Sequence, residues 1–276
     1  YDFVRLTSAR EIVNAHHSSK MNRTATLYGG LQYSLDPQKM EEESKAYGKS
    51  DLAGLVRSEY GISGFKDLRN TKDEVKKIEK TLVDNGFSVK AYLGSKGNAE
   101  SFVALDGKSP SIVHIATHGF YYTPDEAKDK DFLRGYTDAM SLSGLVFAGG
   151  NAAWLGKKNV DGVLGGVLTA KDIANLDFKG TDLLVLSACK TGQGKVTAEG
   201  VFGLQRAFKK AGVGTIIMSL WNVDDKVTSE FMIAFYEQLT DKANNWNKRK
   251  AFEQTKEIIR KKHPDPYYWA AFVMLD

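Results

Sequence analysis

The chain has 276 residues, 42% of them hydrophobic, with 38 Lys and Arg against 34 Asp and Glu for a net charge of +4. That bias is too mild for a nucleic-acid binder, which shows a basic stripe and a stronger imbalance. A single cysteine excludes an internal disulfide framework, and no apolar run reaches the length of a membrane-spanning helix.

The chain starts at Tyr1 with neither Met nor a signal-like apolar stretch, so we expect a piece of a longer protein that lacks its targeting information. A cytoplasmic location is expected. Ser8 followed by Glu11 forms a capping-box signal, which predicts a helix over 8–20. Residues 25–35 (ATLYGGLQYSL) read as a strand or hairpin, with Gly29 and Gly30 as a bulge or turn. Residues 36–66, rich in Lys, Glu, Ser and Gly, read as a solvated loop or a detached helix, an accessory segment with no core role. A helical period then sets in at Val75, Ile78, Leu82 and Val83, capped by Thr71 with Glu74 three residues on and ended by Gly86. FSVKAYL reads as a strand, NAESFVAL as a short helix and SIVHIA as a β-branched strand. This is the rhythm of a parallel α/β sheet.

The rhythm breaks over 123–166, a polar and glycine-rich insertion expected to lie close to the active site, with one buried strand at 145–148. VLTAKDIANLD is predicted as a helix, and TDLLVLSA as a strand buried on both faces. A helix over AEGVFGLQRAFKKAG, a strand over VGTIIMSLW, two further helices and a closing strand over YYWAAFVMLD complete the chain. The whole of 1–276 reads as one domain.

Two strand ends carry the chemistry. Cys189 follows LLVLSA, and His118 follows IVHIAT with Gly119 next. In parallel sheets, active groups gather beyond the carboxyl ends of strands. If the two strands are neighbours, an imidazole meets a thiol whose ordinary pKa of about 8.5 leaves it only partly ionised at neutral pH. The imidazole can take its proton, and the thiolate can attack a carbonyl. The N–H groups of Gly119 and Cys189 are the candidate oxyanion hole. The competing readings are a small buried cysteine and a loop histidine satisfying a carbonyl. His114 lies four residues before His118, a spacing that suits zinc only on a helix; on a strand it reads as a core residue, and no metal or other cofactor is expected. His16 and His17 fall on a predicted surface helix, and His263 near a helix end.

These motifs resemble the CHAT domain, a caspase-related branch of the cysteine peptidases that include separases, legumains and gingipains. IVHIATHGFY resembles the family's histidine motif, and 181–225 (TDLLVLSACKTGQG to SLWNVDD) resembles its cysteine motif and following strand. The resemblance extends from Thr71 to Asp276, and more loosely to LTSAREI and ATLYGGLQYS. It implies an α/β caspase-like sandwich, a mostly parallel central sheet flanked by helices. It also implies His118 as catalytic histidine, Cys189 as nucleophile, and Gly119 and Cys189 as backbone oxyanion donors. Lys190 stands where many members have Glu. The resemblance further implies a protein or peptide substrate, a helical-repeat region ahead of the domain that gates it, and a bacterial setting of regulated proteolysis and defence.

Asp224 and Asp225, after the strand that follows the cysteine, are candidates for a pocket selecting a basic residue. The alternative is that one of them caps the next helix. Trp221 is a candidate apolar wall, or core. Ser143 and Gly144 are candidates to border the cleft, because a strand there would pair near the histidine strand. Direct nucleic-acid or membrane contact is not expected. The reading is a cysteine endopeptidase. A catalytically silent caspase-like scaffold is the alternative, and a hydrolase of non-peptide amides has less support.

Overall fold

The structure, a computed structural model, describes residues 22–47, 63–128, 138–157, 161–187 and 198–276, the side chains of 198–202 excepted. The predicted helix over 8–20, with His16 and His17, lies outside these residues, as do Cys189 and Lys190. In chain order the elements are β1 (Thr24–Leu31), α1 (Pro37–Ser44), α2 (Thr71–Asp84), β2 (Ser88–Gly94), α3 (Ala99–Val103), β3 (Ile112–Ile115), β4 (His118–Tyr121), α4 (Pro124–Lys128), β5 (Ser143–Val146) and α5 (Gly150–Trp154). They continue with β6 (Val167–Thr169), α6 (Ala170–Ile173), β7 (Leu183–Leu186), α7 (Ala198–Lys210), β8 (Thr215–Ser219), α8 (Asp225–Thr240), α9 (Lys248–Lys262), α10 (Pro266–Trp269) and β9 (Phe272–Leu275).

Six strands form one sheet in the order β2-β1-β3-β7-β8-β9. All its pairings are parallel except β8 with β9. Strands buried on both faces need apolar residues at successive positions, and β3 and β7 meet that demand with IVHI and LLVL. Leu184 and Leu186 face a core with Val113, Ile115, Phe102 and Phe208, while Leu183 and Val185 face a second core with Ile78, Phe231 and Phe235. The sheet is thus sandwiched between helical layers, as the caspase-like resemblance implies.

β1 carries the bulge foreseen at its glycines: register shifts between Gly29 and Leu31, and Gly30 has φ +56°. The cap of α2 differs from expectation. Asn70 occupies the cap position without a side-chain bond, and Thr71 is the first helical residue. The Thr71 hydroxyl instead accepts the Gly30 N–H at 2.9 Å and donates to the Leu68 carbonyl, pinning the helix start to the bulge.

The expectation that 36–66 has no core role is corrected. Met40 and Phe65 are buried, and Phe65 packs 4.5 Å from the ring of Trp154. The polar composition of the segment hid these two apolar anchors. The region 123–166 is also more ordered than loops around one strand. Its strand β5 lies between β4 and β6 in an antiparallel three-stranded sheet. VLT, read as helix, is β6; Thr169 then caps α6 through a capping box with Asp172. YYWAAFVMLD divides into α10 and β9 instead of forming one strand. Among the described residues no helix is long and apolar enough to cross a membrane.

Candidate active site

β3 and β7 are adjacent and parallel, with Ile115 opposite Leu186. His118 stands three residues beyond the first of these, and Cys189 three residues beyond the second. The condition that the sequence argument required, neighbouring strands with a common carboxyl edge, is met. Cys189 itself lies outside the described residues.

His118 opens β4 instead of sitting in a loop, but its ring does meet a main-chain carbonyl, as the competing reading had it. Its side chain is only 3% exposed. Tyr33 and Phe65 flank the ring, with centroids 4.7 and 5.0 Å away. Its Nε2 lies 2.7 Å from the main-chain carbonyl of Lys66. A carbonyl only accepts, so Nε2 carries a proton and, in the neutral ring, Nδ1 holds the lone pair. Burial pushes the imidazole below its ordinary pKa, opposed by the Lys66 hydrogen bond and the charges of Asp225 and Asp67.

The segment from Gly64 to Asn70 makes this arrangement. Asn151 of α5 accepts the Phe65 N–H at 2.6 Å and donates to the Phe65 carbonyl at 2.9 Å. A Cβ on Gly64 would meet that Asn151 side chain at 2.9 Å, so glycine permits the approach. At the other end Asn70 donates to one carboxylate oxygen of Asp225 twice, from its main chain at 3.2 Å and its side chain at 2.8 Å. Beneath the ring, the Tyr33 hydroxyl donates to Thr117, which donates in turn to the Val146 carbonyl. Sequence reasoning missed Tyr33, Phe65, Lys66, Asn70 and Asn151. The Lys66 contribution is a carbonyl, which leaves no side-chain signature. Phe65, an aromatic residue isolated in a polar stretch, was the one available signal.

Gly119 pairs with Leu145 and does not have positive φ. Among the described residues, a Cβ there would find only ordinary contacts, the nearest at 3.6 Å. The described neighbours therefore do not demand glycine. Ser143 and Gly144 lie opposite Tyr121 and Phe120, whereas Val146 is opposite His118. Ser143 is fully buried and donates to the Ala139 carbonyl, and Gly144 admits the Leu168 carbonyl and the Phe120 ring against its Cα. Both have packing roles at the end of β4 remote from His118.

Asp224 is the cap of α8, accepting from the N–H groups of Lys226 and Val227. Asp225 is the partner of Asn70. Trp221 is half-buried, and its indole donates to the Tyr267 carbonyl at 2.9 Å. His114 is a core residue, as its strand position implied. Its Nε2 lies 2.9 Å from Glu74 and its Nδ1 3.4 Å from the Tyr236 hydroxyl, all three fully buried. Among the described residues no cluster of three His, Cys, Asp or Glu could hold a metal.

The model of the CHAT domain matches residues 2–276. The chain belongs to the CHAT domain family. The human protein named tetratricopeptide repeat protein 28 is 32% identical to this CHAT domain over 111 residues, 40% of this chain and 4% of that protein. The mouse protein of the same name is 31% identical over 111 residues, again 40% and 4%. The CHAT chain therefore spans a small fraction of these relatives. Among solved structures, the Arg-specific cysteine proteinase gingipain R (RGPB) aligns with TM-score 0.49 and 11% identity, covering 94% of this chain and 49% of that one. The complex of Porphyromonas gingivalis RgpB pro- and mature domains aligns with TM-score 0.42 and 11% identity, covering 88% and 54%.

Proposed function

We propose that this CHAT domain is a cysteine endopeptidase in which Cys189 is the nucleophile and His118 its base. The observation that carries the reading is the pairing of β3 with β7 at Ile115 and Leu186, the residues that His118 and Cys189 each follow by three positions in the sequence. In the proposed reaction the Cys189 thiol gives its proton to His118 Nδ1, and the thiolate attacks the scissile carbonyl. The N–H groups of Gly119 and Cys189 meet the oxyanion. The imidazolium then returns the proton to the departing amine, and water hydrolyses the thioester. The Lys66 carbonyl favours this by fixing the tautomer with its lone pair on Nδ1. That the described neighbours do not require a glycine at 119 supports a role on the substrate side.

The substrate is a protein or peptide. Relatives named for tetratricopeptide repeats support a helical-repeat region as the regulatory partner.

Because the chain has one cysteine, alkylation by iodoacetamide reads Cys189 alone. Its rate plotted against pH should stay high well below the ordinary thiol value of about 8.5, and His118→Ala should return the inflection there. An unperturbed profile in the unsubstituted chain would remove the dyad. Labelling by a peptidyl acyloxymethyl ketone, lost in Cys189→Ala, separates an active peptidase from a silent scaffold.

A further inference from the structure

Asp225 was a candidate for recognising a basic substrate residue, yet its carboxylate is engaged within the fold. One oxygen takes both the main-chain and the side-chain N–H of Asn70. Asn70 ends the segment whose Lys66 carbonyl holds His118, and Asp225 begins α8. The same segment is held at its start by Asn151 on Phe65, and near its end by Thr71 on Leu68. A main-chain carbonyl orients an imidazole only as well as its own segment is fixed, so each of these ties acts on His118 through Lys66.

We infer that Asn70 and Asp225 are positioning residues for His118: their pairing secures the Lys66 carbonyl on Nε2, and the Asp225 charge favours the imidazolium that forms when the ring accepts a proton. This deepens the peptidase reading and rests on it for the imidazolium's part in turnover. The clamp itself is a property of the ring and can be read without activity. Among the described residues, charged and titratable groups that act on the ring are Asp225 from α8, Asp67 from the segment, and Tyr33 from the chain after β1, whose phenol burial keeps protonated. Cys189 and Lys190 follow β7 in sequence. Of the two carboxylates, Asp67 also lies 3.5 Å from the Tyr33 N–H, whereas Asp225 ties the segment to a different element.

Two substitutions separate position from charge. Asp225→Asn keeps an oxygen to accept from Asn70 and removes the charge. Asn70→Ala removes the side-chain bond and leaves the charge. Histidine-selective NMR titration of the full chain, with His118→Gln to assign the signal, reads the ring directly. In Asp225→Asn the His118 midpoint should move further down while its Nε2–H tautomer persists. In Asn70→Ala the tautomer should become mixed, and the paired change Asn70→Asp with Asp225→Asn should restore it.

A merely structural role would lower stability and leave both ring signals unmoved, and that result would overturn the proposal. Alkylation of Cys189 supplies the second arm. Its inflection should rise in Asp225→Asn, and its rate at the plateau should change by less than about twofold, because the thiolate itself is intact. Turnover in Asn70→Ala should fall about 10–100-fold with KM little changed, the scale of a misplaced reacting group. A wild-type chain with an unperturbed thiol would end the peptidase reading, while the NMR arms would still decide the clamp.

Discussion

His118 Nε2 donates to the Lys66 carbonyl at 2.7 Å, across 52 residues of chain. The contact makes the candidate base depend on a segment that shares no element with it. Phe65, one residue earlier, is 8% exposed and packs against both His118 and Trp154. Phe65→Ala should therefore do two things. Loss of a buried aromatic costs about 3 kcal/mol, read as a lower urea midpoint. Release of the segment should also lower kcat, whereas Phe65→Leu should recover most of the stability and less of the turnover. Equal recovery of both would argue against a role in orienting the ring.

The pH dependence of stability follows from the burial of His118, which lowers its folded pKa. The folded chain then binds fewer protons at this site than the unfolded one, so stability rises with pH. The contribution is complete above the ordinary imidazole value of about 6.5 and is lost as pH falls through the lower folded value. In Cys189→Ala, where no thiolate pairs with the ring, urea midpoints between mildly alkaline and mildly acidic pH should fall on acidification, and adding His118→Gln should flatten that slope. A slope unchanged by the substitution would assign the effect to other groups.

On the opposite side of β3, His114 bridges Glu74 of α2 and Tyr236 of α8 in a layer closed to water. One Glu74 oxygen has no hydrogen-bond partner, so the group depends on His114. His114→Ala would strand that carboxyl and should cost about 3 kcal/mol, more than Tyr236→Phe, whose lost contact at 3.4 Å is worth about 1 kcal/mol or less. Glu74→Gln with His114 intact should be the mildest change at position 74. Denaturation of the three variants checks the order, and a cheap His114→Ala would show that this cluster does not hold the helices to the sheet.

Two glycines on paired strands should respond in opposite ways. Gly144 has the Leu168 carbonyl and, at 2.6 Å, the Phe120 ring where a Cβ would stand. Gly144→Ala must move backbone and should cost about 2 kcal/mol, read as a lower melting temperature. At Gly119 the described neighbours leave room, so Gly119→Ala should be neutral or add about 0.5 kcal/mol, as alanine does in place of strand glycine. Its effect should fall on kcat. Unchanged turnover in a stable Gly119→Ala would speak against an oxyanion role.

The residues themselves determined the alternation of apolar strands and amphipathic helices, because burial on both faces of β3 and β7 demands runs such as IVHI and LLVL, and a period of 3.6 demands Val75, Ile78 and Leu82 on one face of α2. They also marked His118, Cys189 and Gly119 by residue type at strand ends. Local pattern could not distinguish Asp224 as helix cap from Asp225 as clamp, since adjacent carboxylates look alike until their partners are in place. The strand character of His118 and of 167–169 arises from pairing with β5, a contact between distant segments that no short window contains. What orients the imidazole is a main-chain carbonyl from residue 66, and every residue has one. Only the folding of 64–70 against α5, α8 and the β1 bulge decides which carbonyl arrives, because that choice is made by contacts between segments and not by any side chain at Lys66.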